Sequence, residues 1–340
     1  MLKLLATLIV ALNPIVGFFA AGSNIVNDSP AITQEGMDQP IPAFTVPSAN
    51  PIPAQKLPLP DDGFLSLQQL PLLPIRNWNI DDPDITAKTA LIYDTGRQEF
   101  LFQKNGIYDA HPIASLTKLM TALVVTENAA LADAFKISSS AVATEGEMGG
   151  LIVGETMTVK NLLYAMLVES SNDAAVALAE NIPQPTTTVS GQDTSANQTQ
   201  KFIDLMNQKA RSLHLKNTFF DDPSGLSPQN YSCAWDVARL LETAIQNQLL
   251  CAIMQTKSID VRSVDGRFNH HLVNTNKLLG VIPEIIGGKT GYTEEAGNCM
   301  VLAVRPPDND GEIIIVVMDS KNRLNETKNL FEWTKKAYLW

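Results

Sequence analysis

The order of the hydrophobic patterns along this chain limits its fold more than any other feature. A strand-like hairpin comes first, in the run "TALIYDTGRQEFLFQKN" at 89–105, where a turn at 94–96 separates two apolar segments. A helical middle follows, and strand-like runs return in "GGKTGYT", "CMVLAVR" and "IIIVVMD" before a last helix in "NETKNLFEWTKKAYLW". Strands and helices grouped in this way predict the α+β class, with an antiparallel sheet packed against a mostly helical subdomain.

The first 83 residues lack this patterning. Residues 1–22 hold one lysine and then an uncharged run that ends in small residues, which predicts either a signal peptide or an N-terminal membrane anchor. The protein is therefore expected to be exported, and 1–22 is the segment expected to contact a membrane. Residues 23–83 are rich in proline and predict a disordered, semi-rigid linker. The folded domain is predicted to span 84–340.

The helical middle divides at short polar segments. The run "LIVGETMTVKNLLYAMLVESSNDAAVALAENI" predicts two helices with a break at 170–172, and Thr158 is a suitable N-cap for the first of them. Helical periodicity returns at 201–214 and again at 232–248. The polar, low-complexity segment 183–200 predicts a solvated loop inserted into the domain.

Composition and charge narrow the classes of function. The formal net charge of −11 does not favour nucleic acid, which requires a basic surface. The three cysteines are scattered and predict no disulfide framework. The four histidines show no zinc spacing, and the adjacent pair His270–His271 would point to opposite faces of a strand. Neither a metal nor a cofactor is predicted.

The segment "HPIASLTKLMTALVV" at 111–125 carries the first sign of chemistry. Residues three apart share a face of a helix, so Lys118 can lie against the hydroxyl of Ser115. The positions that follow are almost all apolar, which predicts burial, and burial lowers the pKa of a lysine. A neutral lysine can take the proton of a serine and so activate it as a nucleophile. The alternative is a helix-capping serine beside a lysine that reaches the solvent.

Two further motifs follow, and with them the chain resembles a known family. The penicillin-recognising serine enzymes carry SxxK, SxN and KTG in this order, here as Ser115–Lys118, Ser170–Asn172 and Lys289–Gly291. The flanking text "SSNDAAVALAE", "KNTFFDDPSGL", "NTNKLLG" and "KTGYTEEAGNCMV" is similar to that of the low-mass D-alanyl-D-alanine carboxypeptidases, peptidase family S11. The resemblance covers roughly residues 85–338 and implies the β-lactamase/transpeptidase-like fold.

The resemblance implies four catalytic residues. Ser115 would attack the amide between two D-alanines and form an acyl-enzyme, with Lys118 as the base. Ser170 would pass a proton to the leaving amine. Asn172 would hold Lys118 and the substrate amide by hydrogen bonds, although a helix N-cap is an equally good interpretation of this asparagine and both can hold.

The resemblance also implies the residues that bind substrate, namely Lys289, Thr290, Gly291, Tyr292, Thr293 and Arg323. Lys289 and Thr293 would face the free carboxylate of the peptide, and Gly291 would leave room for the peptide beside the strand. The backbone N–H groups of Ser115 and Tyr292 would hold the oxyanion. Arg323 would bind the terminal carboxylate, and the alternative for it is a solvated surface arginine.

The expected substrate is a peptidoglycan pentapeptide that ends in D-Ala-D-Ala, and β-lactam antibiotics are expected to act as covalent inhibitors. Three alternatives stay open from the sequence: a D,D-endopeptidase that uses the same residues, a β-lactamase of the same fold, and a non-catalytic module that binds the cell wall. A β-lactamase needs a dedicated base for deacylation, and no matching loop is evident between Asn172 and Lys289. A non-catalytic module would tolerate degenerate motifs, whereas all three motifs are intact here.

Overall fold

The computed structural model describes residues 74–146, 150–182 and 195–340. The predicted signal or anchor at 1–22 lies outside these residues, as do most of the linker at 23–83 and most of the loop insert at 183–200. None of the helices in the described ranges has the length and hydrophobicity that a bilayer crossing requires. The described residues all belong to one compact unit.

Short strands and helices make up this unit. The strands are β1 (Ile75–Arg76), β2 (Thr89–Asp94), β3 (Glu99–Lys104), β4 (His111–Pro112), β5 (Ala134–Lys136), β6 (Thr156–Thr158), β7 (Tyr231–Ser232), β8 (Ser258–Arg262), β9 (Asn269–Val273), β10 (Ile285–Thr293), β11 (Gly297–Val304), β12 (Ile313–Ser320) and β13 (Tyr338–Leu339). The helices are α1 (Lys118–Asn128), α2 (Ser139–Val142), α3 (Val159–Tyr164), α4 (Asn172–Asn181), α5 (Ser195–Ser212), α6 (Ala234–Gln246), α7 (Gln248–Gln255) and α8 (Arg323–Ala337). A 3₁₀ turn at Ala114–Thr117 precedes α1, and a π-helical turn at Ala165–Glu169 follows α3.

The five-stranded antiparallel sheet confirms the predicted α+β class. Its strand order is β10–β11–β12–β2–β3, so the hairpin from the start of the domain pairs with the strands from its end. Side chains alternate between two cores, with Leu91 and Tyr93 in one and Ala90 and Ile92 in the other. Burial of such side chains on both faces of the sheet stabilises the fold by about 1.5–3 kcal/mol for each large apolar residue. In this sheet β10 is an edge strand, and it lies against the 3₁₀ turn at Ala114–Thr117.

The helical subdomain mostly follows the sequence. The break predicted at 170–172 separates the π-helical turn from α4, and the Thr158 side chain caps α3 by accepting a hydrogen bond from the amide of Asn161. Helix α5 begins at Ser195, so the last part of the predicted loop insert is helical. The first turns of this helix are polar in sequence, and hydrophobic periodicity therefore could not locate its start.

The segment just before residue 84 packs on the domain, which corrects the predicted boundary. Strand β1 pairs with β13, and the indole N–H of Trp333 donates to the carbonyl of Asp81 at 2.8 Å. The guanidinium of Arg76 lies over the rings of Trp333 and Tyr338 at 4.8 and 5.7 Å. These contacts join two distant parts of the chain, so proline content and local pattern could not predict them.

Candidate active site

The predicted nucleophile lies on the 3₁₀ turn that leads into α1. Lys118 Nζ is 2.8 Å from Ser115 Oγ. Ala114 has a φ of 47°, a left-handed conformation that is costly for a residue other than glycine. This bend places Ser115 at the rim of a cavity of about 290 Å³, with β10 alongside. The structure therefore brings the first motif together as the sequence predicted.

Lys118 is fully buried and has three polar partners. Besides Ser115, its Nζ lies 2.7 Å from Asn172 Oδ1 and 2.5 Å from the carbonyl oxygen of Ser224. Burial lowers the pKa of Lys118 to about 7, while the nearby negative charge of Asp222 acts in the opposite direction. A neutral amine has two N–H groups and one lone pair. Two of the partners are acceptors, and the Ser115 hydroxyl can accept from a charged amine or donate to a neutral one, so the three partners admit both forms of Lys118. The lowered pKa makes the neutral form accessible near pH 7.

Ser170 and Lys289 form the second pair of the site. Ser170 ends the π-helical turn with a φ of 71°, and Lys289 Nζ lies 2.8 Å from its Oγ. Lys289 also donates to the carbonyl of Thr290 at 3.0 Å. Burial lowers the pKa of Lys289 well below its usual range, and the positive charges of Lys118 and Arg323 lower it further. Ser170 therefore lies beside a second lysine that loses its proton readily.

Asn172 links the two halves of the site. Its Oδ1 accepts from Lys118, and its Nδ2 donates to the carbonyl of Glu145 at 2.9 Å. The N-cap of α4 is Ser171, whose side chain accepts from the amide of Ala174. The capping interpretation of Asn172 is therefore wrong, because its side chain is turned towards Lys118.

The KTG segment lies on the edge strand β10, and its Thr290 and Gly291 line the cavity. A Cβ at Gly291 would lie 2.9 Å from the carbonyl oxygen of Ile113, so glycine lets the strand approach the turn that holds Ser115 closely. Thr290 Oγ1 donates to Thr275 Oγ1 at 2.8 Å. Thr293 Oγ1 accepts from the amide of Ala296 at 3.1 Å, and the Tyr292 side chain is exposed.

Arg323 lies at this cavity rather than on open surface. It is the first residue of α8, and its Nη1 donates to the carbonyl of Gly291 at 2.7 Å. The alternative of a solvated surface arginine is therefore wrong. The remaining N–H groups of the guanidinium are available to a ligand carboxylate at this end of the cavity.

Several residues at the site have no counterpart among the predicted site residues. The Ser224 carbonyl contacts Lys118, while Gly146, Gly225, Leu226 and Thr275 line the cavity. Gly225 has a φ of +92°, and a Cβ there would lie 2.0 Å from the carbonyl oxygen of Ala114. Ser224 and Gly225 lie in the segment "DPSGL", which resembles the family sequence and could have indicated their position near the site. Ser224 contributes a backbone oxygen, however, and a residue type does not reveal a backbone contact.

The histidines and cysteines lie outside this constellation. His270 Nε2 is 2.9 Å from Glu155 Oε2, and His271 Nδ1 is 3.0 Å from Asp260 Oδ1. The described ranges contain no group of His, Cys, Asp and Glu residues that could hold a metal ion. Cys299 is buried in β11, and burial raises the pKa of its thiol to about 11.

Comparisons with known proteins agree with this geometry. The family model described as D-alanyl-D-alanine carboxypeptidase, peptidase S11, matches residues 77–322. The carboxypeptidase DacF of Bacillus subtilis is 34% identical over 226 residues, which are 64% of this chain and 54% of that protein. The D-alanyl-D-alanine endopeptidase of Pseudomonas aeruginosa is 33% identical over 242 residues, covering 70% of this chain and 72% of the relative. This chain thus spans about half the length of DacF but most of the endopeptidase.

A solved structure gives the same result for the fold. The crystal structure of the Streptomyces K15 DD-transpeptidase superposes with a TM-score of 0.68 at 29% sequence identity. The match covers 75% of this chain and 99% of that protein. The β-lactamase/transpeptidase-like fold expected from the sequence is therefore confirmed.

Proposed function

The chain belongs to the family of D-alanyl-D-alanine carboxypeptidases, and we propose that it is a serine-type D,D-carboxypeptidase that removes the terminal D-alanine from peptidoglycan stem peptides. One observation carries this proposal: the buried amine of Lys118, whose pKa is lowered to about 7, lies 2.8 Å from the hydroxyl of Ser115, and its three hydrogen-bond partners are all neutral oxygens. A neutral amine in contact with a serine hydroxyl is the arrangement that general-base activation of a nucleophile requires.

In the proposed acylation step, Lys118 takes the proton of the Ser115 hydroxyl. The freed oxygen attacks the carbonyl carbon of the penultimate D-alanine, and the negative charge moves to the carbonyl oxygen. The backbone N–H groups of Ser115 and Tyr292 would stabilise this oxyanion. The C–N bond then breaks. Ser170 gives its proton to the leaving nitrogen, and the proton that Lys118 took from Ser115 passes to Ser170, directly or by way of Lys289. D-alanine departs as the free amino acid, and Lys118 is neutral again.

Deacylation needs the reverse movement of protons. Water attacks the ester carbonyl and gives one proton to Lys118. The bond between the carbonyl carbon and Ser115 Oγ then breaks, and Lys118 returns the proton to this oxygen. The stem peptide is released with a new terminal carboxylate, so one D-alanine is removed in each cycle.

The cationic end of the cavity would bind the free carboxylate of the substrate. Arg323 supplies positive charge there, and Thr290 and Thr293 of β10 line the same cavity. A guanidinium donates two parallel hydrogen bonds to a carboxylate, which favours a substrate with a free C-terminus over an internal peptide bond.

A D,D-endopeptidase is the second candidate, because relatives from Pseudomonas aeruginosa and Escherichia coli with that name are 33% and 30% identical. It would use the same four catalytic residues on cross-linked peptides. A β-lactamase is less well supported, because no carboxylate is found among the described residues that line the cavity. Without such a base, a penicilloyl adduct on Ser115 would be long-lived, which supports β-lactams as covalent inhibitors.

The location of the protein follows from its substrate. An enzyme that acts on peptidoglycan works outside the cytoplasm, as family membership implies. We propose in addition that 1–22 directs export and is either removed or kept as a membrane anchor, and that the proline-rich segment up to residue 73 serves as a spacer.

Product analysis tests the proposal. The full-length protein is incubated with a pentapeptide that ends in D-Ala-D-Ala and with a cross-linked dimer, and the products are weighed. Loss of one alanine from the pentapeptide is the expected result, while cleavage of the dimer alone would favour the endopeptidase. Ser115→Ala should abolish both cleavage and covalent labelling by a fluorescent penicillin. Ser212→Ala, which alters an exposed serine on α5, is the matched control. Turnover that persists in Ser115→Ala would exclude this serine as the nucleophile.

A further inference from the structure

The loop 221–230 contains a half-buried carboxylate, Asp222, which contacts the residue whose carbonyl accepts from Lys118. Asp222 accepts five hydrogen bonds: from the amides of Ser224, Gly225 and Ser227, from the Ser224 hydroxyl, and from the Asn230 side chain. All five distances are 2.6 or 2.7 Å. Both oxygens of the carboxylate are engaged, so one side chain determines the path of the loop.

Three backbone carbonyls of this loop accept hydrogen bonds from the segment around Ser115 and the start of α1. The Ser224 carbonyl accepts from Lys118, and the Pro223 carbonyl accepts from Thr121 Oγ1 at 2.6 Å, one turn further along α1. At the far end of the loop, the Asn230 carbonyl accepts from the amide of Ile113 at 3.1 Å. A shift of the loop would therefore move the acceptor away from the Lys118 amine.

We infer that Asp222 is a positioning residue for the catalytic base, because it fixes the loop whose Ser224 carbonyl orients Lys118. This inference rests on the proposed function, in which Lys118 is the base. Asp222 itself is not among the described residues that line the cavity, and none of its five hydrogen bonds is to Ser115.

Electrostatics supports the geometry. Burial alone would raise the pKa of Asp222, but the hydrogen bonds from Ser224, Ser227 and Gly225 outweigh it, and the pKa lies below its ordinary value. The group is therefore an anion at neutral pH. As an anion it favours the charged form of Lys118 and opposes the effect of burial on that lysine.

Few other charges act on Lys118. Lys289 on β10 lies near enough for the charge of Lys118 to lower the pKa of Lys289. On the neighbouring helical elements, Asp173 of α4 accepts from nearby backbone amides, and Glu169 of the π-helical turn lies near the two histidines of β9. Asp222 is thus the anion whose removal should change the proton affinity of Lys118.

The test measures the rate constant for acylation of the full-length protein by excess fluorescent penicillin between pH 5 and 9. A rate constant measured under excess reagent does not depend on the fraction of molecules that fold. Asp222→Ala should slow acylation about 10- to 100-fold, since a misplacement of about 1 Å near the reacting groups has an effect of this size. Asp221→Ala, the exposed neighbour that accepts only from the Ser227 hydroxyl, should stay within about twofold of the wild type.

Asp222→Asn separates the charge from the shape of the loop. It keeps one acceptor oxygen, so it should recover part of the rate lost in Asp222→Ala. The acidic limb of its pH profile should move to lower pH by more than about 0.3 units, because Lys118 no longer has an anion nearby to retain its proton.

Each outcome decides one question. If the wild type is labelled but Asp222→Ala acylates at the wild-type rate, or Asp222→Asn keeps the acidic limb unmoved, Asp222 has at most a general structural role and the inference is overturned. A wild type that is not labelled at all, with no release of D-alanine, would instead remove the proposed function and this inference with it.

Discussion

The substitution Lys118→Met removes the buried amine and should change how the stability of the protein depends on pH. The unfolded chain keeps the lysine proton up to a pKa of about 10.4. In the folded protein, burial lowers the pKa of Lys118 to about 7. Between these two values the unfolded state binds more protons, so the free energy of unfolding rises with pH by about 1.4 kcal/mol per unit from this group alone. Lys118→Met should lose this slope.

Urea unfolding at pH 7.5 and pH 9.5 measures the effect. Relative to Lys118→Met, the wild type should gain about 2.5 kcal/mol between these two pH values. The absolute stability of the variant is a poor test, because it leaves the Asn172 and Ser224 oxygens without a donor at about 1–3 kcal/mol each. The difference between two pH values cancels that loss. Lys216→Met, which removes an exposed lysine, is the control and should keep the wild-type slope.

The same variant should lose at least about 100-fold in the rate of acylation by penicillin, as expected for removal of a general base. Equal pH slopes in the wild type and in Lys118→Met would refute the reasoning. Such a result would mean that Lys118 stays protonated in the folded protein across this range. A protonated amine has no lone pair for the Ser115 proton, and another group would have to act as the base.

Three further predictions concern two residues that line the cavity and the N-terminal boundary of the domain. Arg323→Ala should raise KM about ten- to a hundredfold for a peptide with a free carboxylate while kcat changes little, and it should have no effect on an amidated peptide; kinetics with the two peptides check this. Gly225→Ala should abolish penicillin labelling and lower the melting temperature, because the added methyl would lie 2.0 Å from a backbone oxygen beside the nucleophile. A chain that begins at residue 84 should melt about 5 °C or more below one that begins at residue 74, since it lacks β1 and the contacts of Arg76.

The sequence predicted the parts of the site that depend on residue type and local spacing. Ser115 and Lys118 are three residues apart on a buried turn, and their contact follows from that spacing alone. The strands of the sheet were predicted because their apolar runs are long and bounded by turns. Cys233, in contrast, caps α6 by accepting an amide hydrogen bond through its sulfur, which residue preferences for capping do not indicate.

Other features could not be predicted because they depend on atoms or partners that sequence patterns do not reveal. The Ser224 carbonyl is a backbone group, and every residue has one. Helix α7 and the β8–β9 hairpin are short, and each is stabilised by packing against neighbours rather than by its own periodicity. The pairing of β1 with β13 joins the two ends of the domain. Each strand has only two residues, so neither shows a strand pattern in its own sequence.

The two buried lysines show how the site favours reactivity over stability. Across the described ranges neither Lys118 nor Lys289 forms an ion pair, and both contact neutral oxygens instead. A carboxylate in direct contact would hold the proton on either amine, and the amine would then be a poor base. Asp222 does not contact Lys118 directly, because both of its carboxylate oxygens accept hydrogen bonds from groups of the loop. Lys118 can therefore both accept and release a proton near neutral pH. Burying its amine costs stability, and the large apolar cores on both faces of the sheet offset that cost.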